Sequence, residues 1–239
     1  METLDSGFFS TFFANGTRID LDKDEQRNLY SWAHDFGIEL SEAQVHLCGA
    51  HINELWEWNR RVNLTGLSSR EKIIRELVLD SLIPSPFLPE DGRLLDVGSG
   101  AGFPGIPLKI CRPRLEAHLM EANSRRVSFL KQVIRITKLR GIKVVRGRIE
   151  KDGSLLHPEG YHIITARALA PLPRTLSWCA PHLVPGGLIM NFQGSLFENA
   201  LKESSDTIRK HKLLLHKSIP YTLPGKNSPR HVLIFKEEA

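Results

Sequence analysis

At 239 residues, 41% hydrophobic and 25% charged, the chain has the size for one sizeable core with an added subdomain, and its composition excludes disordered, collagen-like and fibrous proteins. No stretch approaches the roughly 18 uninterrupted apolar residues of a membrane span. Met1-Glu2-Thr3-Leu4-Asp5 has no basic stretch ahead of an apolar one, so a soluble, cytoplasmic protein is expected.

The net charge of +5 is unevenly spread. Residues 1–60 carry four Arg/Lys against eleven Asp/Glu, a net of −7, whereas residues 109–151 carry thirteen Arg/Lys against Glu116, Glu121 and Glu150, a net of +10. A basic stretch of that density can neutralise phosphates and steer a polyanion; scattered charge on a solvated helix face is the alternative. Cys48, Cys111 and Cys179 lie far apart with no CxxC pair, which fits buried free thiols better than disulfides or a zinc site. The ten histidines show no HExxH spacing, so no metal is expected.

Residues 1–20 show neither helical nor strand period and read as an arm. From Asp22 to about Leu82 the pattern is helical: Leu29, Trp32, Ala33 and Phe36 recur at three to four, as do Leu47, Ala50, His51, Leu55 and Trp58. Ser41 followed by Gln44 forms a capping box for the second of these helices, and Pro84, Pro86 and Pro89 mark the exit. Residues 21–90 are thus a small helical subdomain, with Trp32, Trp56 and Trp58 on core-facing positions rather than displayed for base stacking.

After Gly92 short apolar strands alternate with helices, the pattern of a doubly wound parallel α/β sheet over 91–239. Strands are predicted at Arg93–Val97, Glu116–Glu121, Lys143–Arg146, His162–Ala166 and Gly187–Phe192, with helices at Pro104–Cys111, Ser124–Leu139 and Leu172–Leu183. Leu213–Ile219 and His231–Lys236 flank the loop 224–229 and read as an antiparallel closing pair. A mostly parallel sheet ending on an antiparallel strand is the class I methyltransferase pattern, Rossmann-like in its core.

The strongest motif is the run Leu94 to Gly105, LLDVGSGAGFPG, an apolar strand entering glycines and then a helix. Glycine is needed there because the chain turns sharply, and because a ligand reaches backbone N–H groups only where no Cβ intervenes. Gly100, Gly102 and Gly105 also satisfy the GxGxxG dinucleotide fingerprint, a weak signal by itself. Asp96, two residues before Gly98, gives the register usual for S-adenosylmethionine sites.

Glu121 ends the second strand, 23 residues after Gly98, where a carboxylate accepts hydrogen bonds from both ribose hydroxyls of an adenosine; NAD would want the same acid. Ile149 and Glu150 follow the third strand and are positioned to border an adenine, although Glu150 also suits a surface helix start. Arg167 ends the fourth strand and is expected in the cleft, or in a salt bridge to Asp96 or Glu121.

Neither Asn-Pro-Pro-Tyr nor Asp-Pro-Pro-Tyr follows the fourth strand, which argues against methylation of exocyclic amines. No Pro-Cys dipeptide is present, which argues against a covalent thiolate route to pyrimidine C5. A ring nitrogen with a free lone pair, such as guanine N7, needs neither device, since its alkylation rests on proximity and alignment. No catalytic residue is therefore required, and Arg167 is the nearest candidate.

Together these residues resemble the bacterial 16S ribosomal RNA guanine-N7 methyltransferase G family, also called glucose-inhibited division protein B. The resemblance runs from about Trp56 to Phe235 and is carried by Trp58-Asn59 with Asn63-Leu64-Thr65, Leu79-Asp80-Ser81-Leu82, Asp96 to Pro107, Arg125-Arg126-Val127, Phe129-Leu130, Arg167-Ala168 and Arg230-His231. It implies S-adenosylmethionine as methyl donor and, as acceptor, N7 of one guanosine in the decoding-region loop of 16S ribosomal RNA, free or within the 30S subunit.

Carried over by position, it implies cofactor contacts from Gly98, Phe103, Glu121, Ala122, Asn123, Ile149, Glu150 and Arg167, to which the loop analysis adds Asp96 and Gly100. Asn63, Asp80, Arg125, Arg126 and Arg230 match motif positions beside the cleft, and Asn63, Arg125, Arg126 and Arg230 are the RNA-binding candidates. Two departures each remove a cation near the substrate: Leu77 stands where the family usually has His, and Gln193 where it often has Lys.

A monomer is the default expectation. Four rival functions remain open: a methyltransferase on another RNA, one on small molecules or protein, which the basic stretch disfavours, a non-catalytic RNA-binding ribosome assembly protein, and a nicotinamide-dependent oxidoreductase. The last would need a His or Tyr-Lys constellation for hydride handling, and none is found.

Overall fold

A computed structural model describes residues 21–238, so the predicted arm over 1–20 lies outside the described residues. The helical segment begins with α1 (Lys23–Asp35) and α2 (Glu42–Asn59), each opened by a capping box: Asp22 with Glu25, and Ser41 with Gln44. Both boxes pair backbone N–H groups that would otherwise lack intrahelical partners. A short α3 (Arg70–Ile73) runs into a wider π-helical stretch, Ile74–Leu79, and then α4 (Asp80–Leu82). A single 3-10 turn, Ser85–Phe87, leads to the sheet.

The sheet comprises β1 (Asp91–Val97), β2 (Arg114–Glu121), β3 (Ile142–Arg146), β4 (Tyr161–Arg167), β5 (Leu183–Gln193), β6 (Leu213–Tyr221) and β7 (Arg230–Glu237). Its order is β3-β2-β1-β4-β5-β7-β6. The β1–β2, β1–β4, β2–β3 and β4–β5 pairs are parallel, and β7 runs antiparallel to both β5 and β6. The predicted strands and the antiparallel ending are thus present, with ends displaced by a few residues.

Between strands lie α5 (Gly105–Cys111), α6 (Ser124–Thr137) and α7 (Leu172–Cys179). The predicted helix 124–139 stops two residues early, at Lys138 in the left-handed region (φ 52°). The one predicted over 172–183 ends at Cys179 and tightens into a 3-10 turn at Ala180–His182. Two helices between β5 and β6, α8 (Phe197–Glu203) and α9 (Ser205–Lys210), have no counterpart among the predicted elements. Each is about two turns or less, too short for a hydrophobic period to register.

Neighbouring strand residues separate into two cores because successive side chains point to opposite faces. Leu94, Ala117, Leu119 and Ile163 face one core, filled by α5, α6 and the helical segment through Ile52, Leu55, Ile74 and Leu82. Leu95, Met120, Ile164 and Leu233 face the other, filled by α7 through Leu172, Leu176 and Cys179. Burial on both faces explains why these strands read as unbroken apolar runs. The helical segment shares its core with one face of the sheet, and α2 packs on both α5 and α6. Cys48, Cys111 and Cys179 are free and buried, as expected. No helix among the described residues is long and apolar enough to cross a membrane.

Beneath the second core, on β2, His118 is buried with Nδ1 2.6 Å from the Tyr161 hydroxyl, which itself accepts from the His157 backbone N–H at 3.0 Å. One hydrogen bond thus joins the hydroxyl to the His118 ring. Burial above all, then the charges of Lys143, His157 and Arg93, pushes its pKa down from 6.5 to about 4. The unfolded chain takes the proton more readily, so the stabilising contribution is complete above pH 6.5 and is lost as pH falls toward about 4. Urea unfolding across that window should show a smaller loss in His118→Gln than in the wild type; equal losses would mean that His118 does not hold its proton off.

Candidate functional site

The glycine loop leaves β1 at Val97 and enters α5 at Gly105. Gly98, Gly100 and Gly102 have φ of 72°, 56° and 89°, in the left-handed region that favours glycine. The loop is tied down from the sheet: the N–H groups of Gly98 and Ser99 donate to the Met120 carbonyl at 2.9 and 3.0 Å, and that of Gly100 donates to Glu121 Oε2 at 2.9 Å.

Asp96 lies beneath the loop, fully buried. Its Oδ2 accepts from the Gly105 N–H at 3.1 Å and its Oδ1 from the Thr165 hydroxyl at 2.8 Å. Burial raises its pKa to about 6. A Cβ on Gly105 would come within 2.7 Å of Oδ2, so only glycine lets the helix start this close to the carboxylate.

Where the loop meets the carboxyl ends of β1 to β4 there is a cavity of about 500 Å3, lined by fourteen residues from these strand ends, the loops beyond them, α6 and α7. Of the predicted cofactor residues it gathers Gly98, Glu121, Ala122, Asn123, Ile149 and Glu150. Glu121 lines it with Oε1 accepting from the Asn123 N–H at 2.8 Å, and Asn123 in turn caps α6 through Arg125 N and Arg126 N. Each carboxylate oxygen retains a lone pair beyond these bonds.

Asp96, Gly100, Phe103 and Arg167 are not among the lining residues. Asp96 and Phe103 are buried in the first core's direction, where Phe103 stacks on His51 of α2. Arg167 departs most from expectation. It pairs with neither Asp96 nor Glu121; its Nη1 lies 3.3 Å from Asp80 Oδ2 and its Nη2 donates to the Glu76 carbonyl at 2.8 Å. Strand parity explains this: Thr165 and Arg167 share the face of β4 that looks toward the helical segment, away from the cavity.

That pairing is part of a buried charge cluster. Asp80, 1% exposed, also accepts from Arg230 at 2.6 Å and from the Tyr221 hydroxyl at 2.9 Å. Glu76 takes Lys226 at 3.0 Å, and Arg75 and Arg230 at 3.5 and 3.6 Å. The cluster ties the π-helical stretch to the ends of β4, β6 and β7, so Arg230, an RNA-binding candidate, is committed to Asp80 and Glu76. π-Helical turns recur at functional sites.

Among the other RNA-binding candidates, Arg125 is exposed on the first turn of α6, and Arg126 reaches the cavity with its guanidinium 4.0 Å from Glu121. Asn63 is exposed on the loop after α2, a loop held by Asn59, whose side chain accepts from Leu64 N and Thr65 N. Gln193 donates to Asn191 at 2.5 Å, and Leu77 packs against the first core. The described residues contain no group of His, Cys, Asp or Glu able to hold a metal ion.

Sequence reasoning missed Leu169 and Trp178, which complete an apolar wall of the cavity with Val97, Met120 and Ile149. Leu169 follows Ala168, whose φ of 49° is unusual for a residue with a side chain, and its Cδ1 lies 2.8 Å from where a Cβ on Gly98 would stand. The position of Trp178 on α7 gave no signal, because only the packing of α7 against the sheet brings it there.

A family model described as rRNA small subunit methyltransferase G (GidB) matches residues 44–231. The chain belongs to this family. The methyltransferase G 1 of Syntrophobacter fumaroxidans is 35% identical over 216 residues, covering 89% of this chain and 96% of that protein. The family member from Moorella thermoacetica is 33% identical over 219 residues, covering 90% and 91%.

Solved structures agree in fold. A protein described as a predicted O-methyltransferase, from Agrobacterium tumefaciens, has a TM-score of 0.57 at 14% identity over 67% of this chain and 81% of its own. M. jannaschii TYW2 in complex with AdoMet has a TM-score of 0.52 at 14% identity over 66% and 73%. The architecture is that of a class I methyltransferase with a helical segment ahead of the sheet.

Two substitutions probe this geometry. Gly98→Asp puts a carboxylate into the loop and against Leu169, and calorimetry should show no S-adenosylmethionine binding by the folded variant; wild-type affinity would refute the placement of the site. Asp80→Asn leaves Arg167 and Arg230 facing a neutral group inside the protein, and should lower the unfolding free energy by roughly 3 kcal/mol in urea titration. A loss below about 0.5 kcal/mol, the size of a surface substitution, would mean the cluster adds nothing to stability.

Proposed function

We propose that this protein transfers a methyl group from S-adenosylmethionine to N7 of a guanosine in the decoding-region loop of 16S ribosomal RNA. The observation that carries the donor half is the cavity at the carboxyl ends of β1 to β4, where a glycine turn hydrogen-bonded to a carboxylate meets an apolar wall. Ligands of doubly wound sheets bind at this edge. The residues fit the cofactor: Gly98 would leave room for its methionine portion, Glu121 would accept from the ribose hydroxyls, and Val97, Met120, Ile149, Leu169 and Trp178 offer an apolar bed for adenine beside the polar Glu150.

When bound, S-adenosylmethionine supplies an electrophilic sulfonium methyl group. The protein's part is to hold and align. Asp96, through Gly105 and Thr165, and Met120, through Gly98 and Ser99, fix the loop, so its shape is set before any ligand arrives. Guanine N7 has a free lone pair and no proton to remove, so this reading assigns no general base. Arg167, Asp80 and Arg230 then serve to hold the helical segment against the strand ends, next to where an acceptor would enter.

The acceptor half is supported by family membership and by the basic band along α6 and β3, which includes the exposed Arg125, Lys131, Lys143 and Arg146. Arg125 and Arg126 are suited to phosphate contact at the rim. Asn63, exposed on a braced loop, is a third contact candidate, whereas Arg230 would act through Asp80. The reading takes the protein to be a cytoplasmic monomer with residues 21–90 as its helical subdomain.

Labelled S-adenosylmethionine offered to small-subunit RNA and to 30S particles from a strain lacking the enzyme should yield one 7-methylguanosine in the decoding-region loop, located by mass mapping. No transfer to either, with cofactor binding intact, would sink the ribosomal assignment. Arg125→Glu with Arg135→Glu, both exposed on α6 and outside the cavity lining, should weaken RNA binding at least about tenfold at low salt while changing cofactor affinity by less than about threefold. Equal losses of both would assign these arginines to the cofactor site or the fold.

A further inference from the structure

The sheet holds the glycine loop from one side; from the other, α2 reaches it with one side chain. His51 is fully buried, and its Nε2 lies 2.8 Å from the carbonyl oxygen of Ala101. Its ring stacks on Phe103, with centroids 4.6 Å and planes 17° apart. Its Cε1 lies 3.2 Å from where a Cβ on Gly102 would stand. Three consecutive loop residues thus rest on one imidazole.

A carbonyl oxygen can only accept, so Nε2 carries the proton and Nδ1 is left as a bare lone pair. Nδ1 is buried and has no hydrogen-bond partner among the described residues. An unpartnered buried acceptor is a standing cost that a phenyl ring in the same place would not carry. What imidazole offers over phenyl is the donor to Ala101. Burial also pushes the pKa of His51 down to about 4, so the ring stays neutral near pH 7 and keeps Nδ1 free of a proton.

We propose that His51 is a positioning residue for the methyl-donor site: by fixing the crest of the loop at Ala101–Phe103 it holds Gly98 and Gly100 in the shape that receives the cofactor. The helical segment therefore contributes to cofactor affinity without touching the cofactor. This rests on the reading of the loop as an S-adenosylmethionine site. A purely structural His51 would change stability and leave the affinity of the folded protein alone.

The test compares His51→Phe, which keeps the ring and its stacking but removes the donor, with His51→Gln, whose amide nitrogen reaches about as far as Nε2. By calorimetry the Phe variant should bind S-adenosylmethionine and S-adenosylhomocysteine about tenfold more weakly, and the Gln variant should recover most of that loss. In methyl transfer the Phe variant should show a raised KM for S-adenosylmethionine, with kcat at saturating cofactor within about twofold and RNA affinity unchanged. Wild-type affinity in the Phe variant, or a Gln variant no better than Phe, overturns the proposal.

Should the Phe variant not fold, 15N spectra of the wild-type imidazoles decide: the His51 signals should report the Nε2–H tautomer and move as S-adenosylmethionine saturates the protein. A proton on Nδ1, or signals that stay put, overturns it equally. A wild-type protein that binds neither ligand instead removes the donor-site reading, and this proposal with it.

Discussion

The burial of one carboxylate, Asp96, sets the geometry on which the rest of the site depends. It sits at the end of β1 with no exposed surface, where an ionised acid is costly unless hydrogen-bonded donors surround it. Thr165 on β4 and the Gly105 N–H at the start of α5 supply those donors, so satisfying Asp96 fixes the distance between two strands and a helix. The glycine turn between Gly98 and Gly105 is then a chain of set length between fixed ends, and its N–H groups take the only directions left to them. Gly105 must be glycine because the carboxylate occupies the space of its Cβ.

A second acidic centre sets the position of the helical segment. Glu76 comes from its π-helical stretch and Asp80 from the first position of α4, and the cations that meet them include ones from β4, from β7 and from the loop before β7. Because these groups are remote in sequence, the cluster forms only when sheet and helical segment are in register. Burial, reinforced by the charge of Asp80, pushes the Tyr221 hydroxyl well above its usual range, so it remains a donor to that carboxylate. The two centres are not independent: Arg167 pairs with Asp80 and its charge also helps to stabilise ionised Asp96. His51 and Phe103 make a third, uncharged tie between the same two bodies. The apolar core they share supplies the bulk attraction, while these polar ties specify how the loop is presented.

Charge is divided along the chain according to these tasks. Within the acidic segment before residue 60, Glu25 is tied to Arg70 of the helical segment. The basic stretch includes α6 and the edge strand β3, so one sheet edge carries cations that no neighbouring strand among the described residues covers. Edge cations discourage strand addition as well as attracting polyanions.

The sequence by itself determined the alternation of strands and helices, the antiparallel ending, the place of the glycine turn and the carboxylate opposite it. All of these are local: a hydrophobic period of two or 3.6, a glycine where no Cβ fits, an acid at a strand end. It also reached Gly98, Glu121, Ile149 and Glu150, because strand ends in a parallel sheet are neighbours by topology, while Ala122 and Asn123 came from the family resemblance. Only the tertiary structure decided where Arg167, Arg230, Phe103 and Trp178 point. Spacing says that a side chain leaves a strand or helix at a given residue, but its partner comes from an element tens of residues away. Arg167 lies on the face of β4 toward the helical segment, and Asp80, 87 positions earlier, is what it finds there. Pleat parity, the packing of α2 and α7 and the closure of buried charge settled those contacts, and each depends on the whole sheet having formed.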